Sequence, residues 1–174
     1  MLIWRPFGGT INAVLDIKLL APEEWHVLRT IRLRALLDSP AAFLSSYEAE
    51  AGWGEMQWRH LLGSATWVVA VESGMVIGIA GVIDRIDGRH IESIWVAPSH
   101  RRRGVFRALL RDLVDRERAN GAHDLVLWVV EDNDDARQAY RRLGFVPTGE
   151  RQRLAGSRHE LRLRLSTRPS RRVV

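Results

Sequence analysis

The sequence predicts a mixed α/β domain built around one central sheet, and three observations predict it. First, Thr66 to Val96 reads as three antiparallel strands in succession, because the turns Glu72-Ser73-Gly74 and Asp87-Gly88 punctuate apolar runs. Second, Ile91 to Val130 reads as strand, basic turn, helix and strand. The run Leu125-Val126-Leu127-Trp128-Val129-Val130 is almost wholly apolar, as a strand buried on both faces and parallel to its predecessor would be. Third, helical patterns precede the meander, and a strand with one apolar and one charged face, Leu161 to Leu165, closes the chain.

In chain order, Val14 to Leu20 partly alternates and reads as the first strand. Pro22-Glu23-Glu24 is a helix start, with proline early and acids in the first turn. Trp25, Leu28, Ile31, Leu33, Ala35 and Leu36 form its apolar stripe, and Asp38-Ser39-Pro40 stops it. A short second helix is expected over 41–45, no decisive pattern over 48–53, and a further helix over 54–62 anchored by Met56, Trp58 and Leu61. Trp53 and Trp58 either line a pocket or pack that helix onto the sheet. Strands follow at 66–71, 75–83 and 89–97. Gly78, Ala80 and Gly81 in the second of these predict a bulge or a close backbone approach. The helix from about Arg102 carries the rows Val105/Leu109/Leu113 and Phe106/Leu110/Val114 and ends at Asn120-Gly121. A strand at 125–130, a helix over 134–142, a strand from Phe145 and the last strand at 161–165 complete the order. Residues 1–12 read as an extension, 13–165 as one domain and 166–174 as a basic flexible tail.

Composition narrows the chemistry. A chain of 174 residues without cysteine has no disulfide, no thiolate metal site and no cysteine nucleophile, which fits a cytoplasmic protein. No apolar run approaches the ~20 residues of a membrane span, and Arg5 and Pro6 spoil the N-terminus as a signal peptide. The histidines have no ligand spacing, so no metal is expected, and there is no Gly-x-Ser-x-Gly nucleophile turn. The net charge of +5 is uneven. Residues 151–174 hold eight arginines against Glu160 alone, +7 in all, which leaves −2 for residues 1–150. Such an end can hold nucleic acid or an acidic partner, or it is a solvated face. The lack of interleaved aromatics and of any reader motif argues against nucleic acid.

The turn Ser99-His100-Arg101-Arg102-Arg103-Gly104 opens a helix directly after a strand. Gly104 permits a close backbone approach, and the first helical N–H groups have no acceptors of their own, so they can meet an anion. Arg101, Arg102, Arg103 and Arg107 add charge, an environment that suits a pyrophosphate. No Gly-Lys-Ser/Thr follows, as a P-loop requires, and one glycine makes no dinucleotide fingerprint.

The wider pattern is Val96-x-Pro98, Arg101-x-x-Gly104, then Asn133-x-x-Ala136-x-x-x-Tyr140-x-x-Leu143-Gly144-Phe145. It resembles the GNAT superfamily of acyl-CoA-dependent N-acyltransferases over roughly residues 14–165. The resemblance implies a single-domain fold with a mixed, mostly antiparallel sheet flanked by helices, whose parallel fourth and fifth strands splay apart. It also implies acetyl-CoA as cosubstrate, without a metal. Backbone N–H groups from Gly104, Val105 and Phe106, with the turn's arginines, would bind the pyrophosphate. Ile94, Trp95 and Val96 would line the pantetheine arm, Asn133 and Ala136 would lie near the thioester, and Tyr140 beside the sulfur. Phe106 stands where the family has a small residue. The acceptor would be a small-molecule or peptide amine, and family members are often homodimers, for which exposed tryptophans in the early helices offer an interface.

The implied chemistry is direct attack of an amine on the thioester, with Tyr140 protonating the departing sulfur. Glu92 is the candidate base or amine-binding group, because a carboxylate inside an apolar strand needs an explanation, a strand-edge salt bridge being the alternative. With period-2 alternation Glu92 shares a face with His90, Ile94 and Val96. His90, beside the turn, is a second candidate and is expected to be exposed; Glu131 and Asp132 are further ones for amine contact. Two other readings stay open: a non-catalytic acyl-CoA-binding module, and a nucleic-acid-associated protein acting through the basic end.

Overall fold

The computed structural model describes residues 14–154 and 157–167. The expected extension and residues 168–174 of the expected tail lie outside the described residues. The elements are β1 (Leu15–Leu19), α1 (Trp25–Asp38), α2 (Tyr47–Ala51), α3 (Glu55–Gly63), β2 (Ala65–Glu72), β3 (Met75–Arg85), β4 (Gly88–Val96), α4 (Val105–Ala119), β5 (Asp124–Val130), α5 (Asp134–Arg142), β6 (Val146–Arg153) and β7 (His159–Ser166). The strands form one sheet in the order β1-β2-β3-β4-β5-β7-β6. Every neighbouring pair is antiparallel except β4–β5, which the α4 crossover makes parallel.

The second helix differs from its expected place. Residues 40–42 make only a single 3-10 turn, and the helix starts after Ser46, whose hydroxyl accepts a hydrogen bond from the Ala49 N–H at 3.2 Å. Pro40 confines 41–45, while a serine N-cap followed by Glu48 and Glu50 is the stronger start signal. The early tryptophans also differ: Trp58 is fully buried, and Trp53 stacks on it with ring centroids 5.1 Å apart. They serve the core rather than an exposed interface.

The core lies on both faces of the sheet. On one face Leu109 of α4 packs where a Cβ on Gly78 would come within 3.0 Å of it, and Arg89 reaches the fully buried Glu117 of α4. On the other face the Trp67 ring lies over Gly81, where a Cβ would sit 2.8 Å from the ring. The Trp67 indole donates to the Leu61 carbonyl of α3 at 3.0 Å. Both glycines are therefore sites of close approach. β3 also takes a bulge near Ile77, since Ala70 faces Gly78 but Val71 faces Val76.

A second bulge lies on β4 itself. Ile79 pairs with Trp95 and Gly81 with Glu92, so β4 has one more residue than β3 across this step. Ser93 takes it up in the left-handed region, at φ 58°. One inserted residue reverses the facing of everything beyond it. Glu92 and His90 do share a face, as alternation predicts. Past the bulge, however, it is Trp95 that joins them toward α1, while Val96, paired with Gly78, turns to the α4 side. The expected common face of Glu92, Ile94 and Val96 is therefore not formed.

Pairing of β4 with β5 stops almost as soon as it starts. Arg89 faces Leu125 and His90 faces Val126, and no further register follows. β5 stays paired with β7 along its whole length, from Asp124 to Val130. The expected splay between the fourth and fifth strands is present: β4 parts from β5 after His90 and stays paired with β3 on both sides of its bulge.

Candidate active site

The splay opens two adjoining cavities. One, of about 460 Å³, is bordered by Trp95, Val96, Arg102, Gly104, Arg107 and Arg142. The other, of about 440 Å³, is bordered by Arg32, Glu92, Ser93, Trp128, Asn133 and Tyr140. Ile94, Phe106, Ala42 and Phe43 border both, so the two meet at the bulge.

The first cavity ends at the basic turn. Arg102 at φ 61° and Gly104 at φ 86° bend the chain so that Gly104 is the N-cap of α4. The first intrahelical bond at this end runs from the Ala108 N–H to the Gly104 carbonyl at 3.0 Å. The N–H groups of Val105, Phe106 and Arg107 are therefore without acceptors among the described residues, at the positive end of a 15-residue helix.

The four arginines expected to add charge here do not act alike. Arg101 donates from Nε to the Val96 carbonyl at 3.0 Å and pairs with Asp38, and Arg103 bonds Glu72 at 3.0 Å. These two brace the turn against β4, α1 and β2. Arg102 and Arg107 have no ion pair among the described residues and border the cavity, joined there by Arg142. Asp38 anchors the brace: the Ser39 hydroxyl, the Trp95 indole and Arg101 all donate to it and hold its carboxyl below the ordinary range.

In the second cavity Tyr140 is buried between two aromatic rings, Phe106 at 5.4 Å and Phe145 at 5.6 Å between centroids. Phe106, the departure from the small residue, thus packs against the tyrosine and borders both cavities. The Tyr140 hydroxyl has no hydrogen-bond partner among the described residues, and burial pushes its pKa well above the ordinary 10. It is a neutral donor without an acceptor. Asn133 caps α5, its Oδ1 accepting from the Ala136 N–H at 3.1 Å, so that its amide NH₂ remains to face the cavity. Ala136 lies one turn before Tyr140 on the same wall.

Glu92 borders this cavity about one-quarter exposed and pairs with Arg85 at 2.6 Å, so the salt bridge weighed as its alternative role exists. His90 is buried rather than exposed: its Nε2 lies 2.9 Å from Asp87 Oδ1 in the folded-back hairpin, and it too borders the cavity. Glu131 is turned to Arg151, whose hydrogen bonds lower its pKa, while Asp132 borders a separate hollow beside Asp38.

The residue that sequence reasoning missed is Arg32. It is buried in α1, donates twice to the buried Glu50 of α2 (3.0 and 2.7 Å) and once to the Ser93 hydroxyl, and lies 5.0 Å from the centre of the Phe43 ring. It ties the bulge to α1 and α2. Its signal is an arginine on the Leu28–Arg32–Leu36 row of an otherwise apolar stripe. No cluster of three or more histidine or acidic side chains among the described residues could hold a metal. Among the described residues no helix is long and apolar enough to cross a membrane. Three arginines of the basic C-terminal segment are already committed: Arg151 to Glu131, Arg162 to Asp87 and Glu150, and Arg164 to Asp124.

Residues 29–145 match the model of the acetyltransferase (GNAT) family. The chain is 40% identical to a streptothricin acetyltransferase of Streptomyces lavendulae over 49% of this chain and 47% of that one. It is 35% identical to the L-amino acid N-acyltransferase MnaT of Escherichia coli over 48% and 51%. The chain thus spans about half the length of these curated relatives. A longer match, 32% identical over 71% of this chain and 83% of the other, is to the N-alpha-acetyltransferase RimI of Mycobacterium tuberculosis. Two solved structures share the fold. The ribosomal-protein-S18-alanine N-acetyltransferase of Escherichia coli matches with a TM-score of 0.68 at 23% identity, over 92% of this chain and 99% of that one. YncA of Salmonella typhimurium with its cofactor acetyl-CoA matches with a TM-score of 0.71 at 20% identity, over 90% and 96%.

Proposed function

This chain belongs to the GNAT acetyltransferase family, and we propose that it transfers the acetyl group of acetyl-CoA to a primary amine by direct attack within a ternary complex. The observation that carries the proposal is the opening between β4 and β5, which leads from acceptor-free N–H groups of α4 to an unpartnered tyrosine hydroxyl. The pyrophosphate would take the N–H groups of Val105, Phe106 and Arg107, with Gly104 allowing the approach and Arg102 and Arg107 adding charge. Arg101 and Arg103 would hold the turn in shape. The pantetheine arm would run along Ile94, Trp95 and Val96, occupying the hydrogen-bonding edge that β4 withholds from β5. Asn133 and Ala136 would flank the thioester.

At the junction the amine nitrogen attacks the thioester carbonyl carbon, and the carbonyl oxygen becomes an oxyanion facing β4 backbone donors. Collapse of that intermediate breaks the carbon–sulfur bond, the thiolate takes the Tyr140 proton, and the proton shed by the acylated nitrogen restores the phenol. Burial keeps this phenol protonated across the working pH range. The proton lost by the incoming ammonium passes to Glu92, directly or across a water, with Arg85 orienting the carboxylate. His90 stands behind as the alternative acceptor. The acceptor is a small-molecule or peptide amine; the relatives' names cover a streptothricin acetyltransferase, an L-amino acid N-acyltransferase and an N-alpha-acetyltransferase.

A thiol-release assay with acetyl-CoA across small polyamines, amino acids, aminoglycosides and N-terminal peptides tests the proposal. Amine-dependent free thiol from at least one class is expected. Binding of acetyl-CoA without release for any amine would instead support a non-catalytic acyl-CoA module.

A further inference from the structure

One carboxylate on the wall of the second cavity has no countercharge. Glu160 of β7 lies half-buried there, with β5 between it and Glu92 of β4. It stands opposite Val130 in the β5–β7 ladder, and cross-strand partners share a face of the sheet. Its Oε2 accepts from the Gln152 amide at 2.9 Å. Its Oε1 has no hydrogen-bond partner, and the side chain has no ion pair, among the described residues. The neutral amide thus fixes the carboxylate without neutralising it.

The cations on the same wall are already taken. Arg32 is held by Glu50 and the Ser93 hydroxyl, and Arg85 by Glu92. Behind them Arg162 is shared by Asp87 and Glu150, and the His90 ring meets Asp87. An acceptor's own carboxylate would therefore find no unpaired guanidinium among the described residues of this cavity, whereas a cation would find Glu160. The hollow beside Asp38 continues the imbalance. It shares Ala42, Val130 and Asn133 with the cavity, and Asp132, Asp134 and Asp135 border it, with Arg158 as its one cation among the described residues. A half-buried carboxylate, fixed in place and lacking a cation, suits a ligand that brings one.

We infer that the acceptor is a small diamine or polyamine: one nitrogen reacts near the unpartnered Tyr140 hydroxyl while a second, still protonated, pairs with Glu160. This rests on the acetyl-transfer reading above and narrows it to one class of amine. Glu160 touches no reacting atom; it selects the acceptor. Neighbouring strands lie about 4.8 Å apart, so carboxylates on β4 and β7 suit nitrogens roughly 5–10 Å apart. A free amino acid is disfavoured, because its carboxylate would meet Glu92 and Glu160 with no arginine left to receive it.

Thiol release from acetyl-CoA tests this with α,ω-diamines of about three to eight methylenes, the span of one to two strand spacings. Each is run beside the alkylamine and the ω-amino acid of the same length. At its best length the diamine exceeds the alkylamine about tenfold in kcat/KM, the order of one charge-assisted contact, and the ω-amino acid falls below both. Added salt narrows the gap. Glu160→Gln brings the diamine-to-alkylamine ratio toward one, and Glu160→Asp, which keeps the charge, retains part of it. The ratio is read within one protein, so any loss of folded fraction cancels. A diamine no better than its alkylamine, an ω-amino acid that is the best of the three, or a ratio unmoved by Glu160→Gln overturns the inference and leaves acetyl transfer to amines standing. No thiol from any of these compounds overturns it too, and the transfer reading falls with it only if every other amine class is also silent.

Discussion

β4 and β5 run beside each other in two ways, and the contrast explains how one sheet both holds the fold and opens a site. At their start Arg89 and His90 pair with Leu125 and Val126, Arg89 reaches the buried Glu117, and Leu125 is fully buried. Four residues on, the strands have no register, and the space between them is cavity bordered by Glu92, Ile94 and Tyr140. The closed half is made by apolar burial. The open half is made by one extra residue, Ser93, held by Arg32. The lesson is that an opening inside a sheet needs no missing strand. It needs a bulge, and a buried ion pair to hold the bulge in place.

If that division is right, substitutions in the closed half cost stability and those in the open half cost turnover. Leu125→Ala leaves a cavity in the closed half and should lower unfolding free energy by about 2–5 kcal/mol, read by urea denaturation, with kcat of the folded fraction unchanged. Tyr140→Phe should do the reverse. Its hydroxyl has no partner to lose, so the melting temperature holds, while kcat falls about 100-fold through loss of the sulfur's proton donor. Full turnover in that variant would remove Tyr140 from the mechanism.

The same tyrosine gives a pH signature. Its folded-state pKa is raised, so the unfolded chain loses this proton first, and its contribution to stability is present below pH 10 and lost above it. Wild type should lose stability above pH 10 by up to about 1.4 kcal/mol per pH unit from this group, and Tyr140→Phe should lack that component in denaturation curves. Glu92→Gln should lower kcat about tenfold at neutral pH and change the acid limb of the pH–rate profile; an unchanged profile would point to His90 instead. The smallest effect is expected at Gly104→Ala. A side chain at φ 86° costs about 1 kcal/mol, which should raise the KM for acetyl-CoA about fivefold with little change in kcat.

Much of this was legible in the chain. Hairpin signals at Ser73-Gly74 and Asp87-Gly88, and the apolar run of β5, fixed the meander and the parallel crossover, because turn chemistry and strand burial are local properties. The bulge was not legible. Its cause is not local: Ser93 is a poor left-handed residue, held there by Arg32 from α1 and by the ladder with β3. For the same reason alternation misassigned Val96. His90 was expected in solvent because it follows the Asp87-Gly88 turn, and it is buried because the hairpin brings Asp87 back against its ring. The basic turn was legible as a glycine bend that opens a helix beside several arginines. Its division of labour, with Arg101 and Arg103 as braces, depends on Asp38 and Glu72, which are distant in sequence.

The central claim is that the cofactor fills the open half of β4–β5, and a crystal structure with bound coenzyme A tests it most directly. The account predicts the pyrophosphate within hydrogen-bond distance of the Val105 and Phe106 N–H groups, the pantetheine against Ile94–Val96, and the sulfur beside the Tyr140 hydroxyl. A nucleotide bound elsewhere, with β4 and β5 still empty between them, would contradict it.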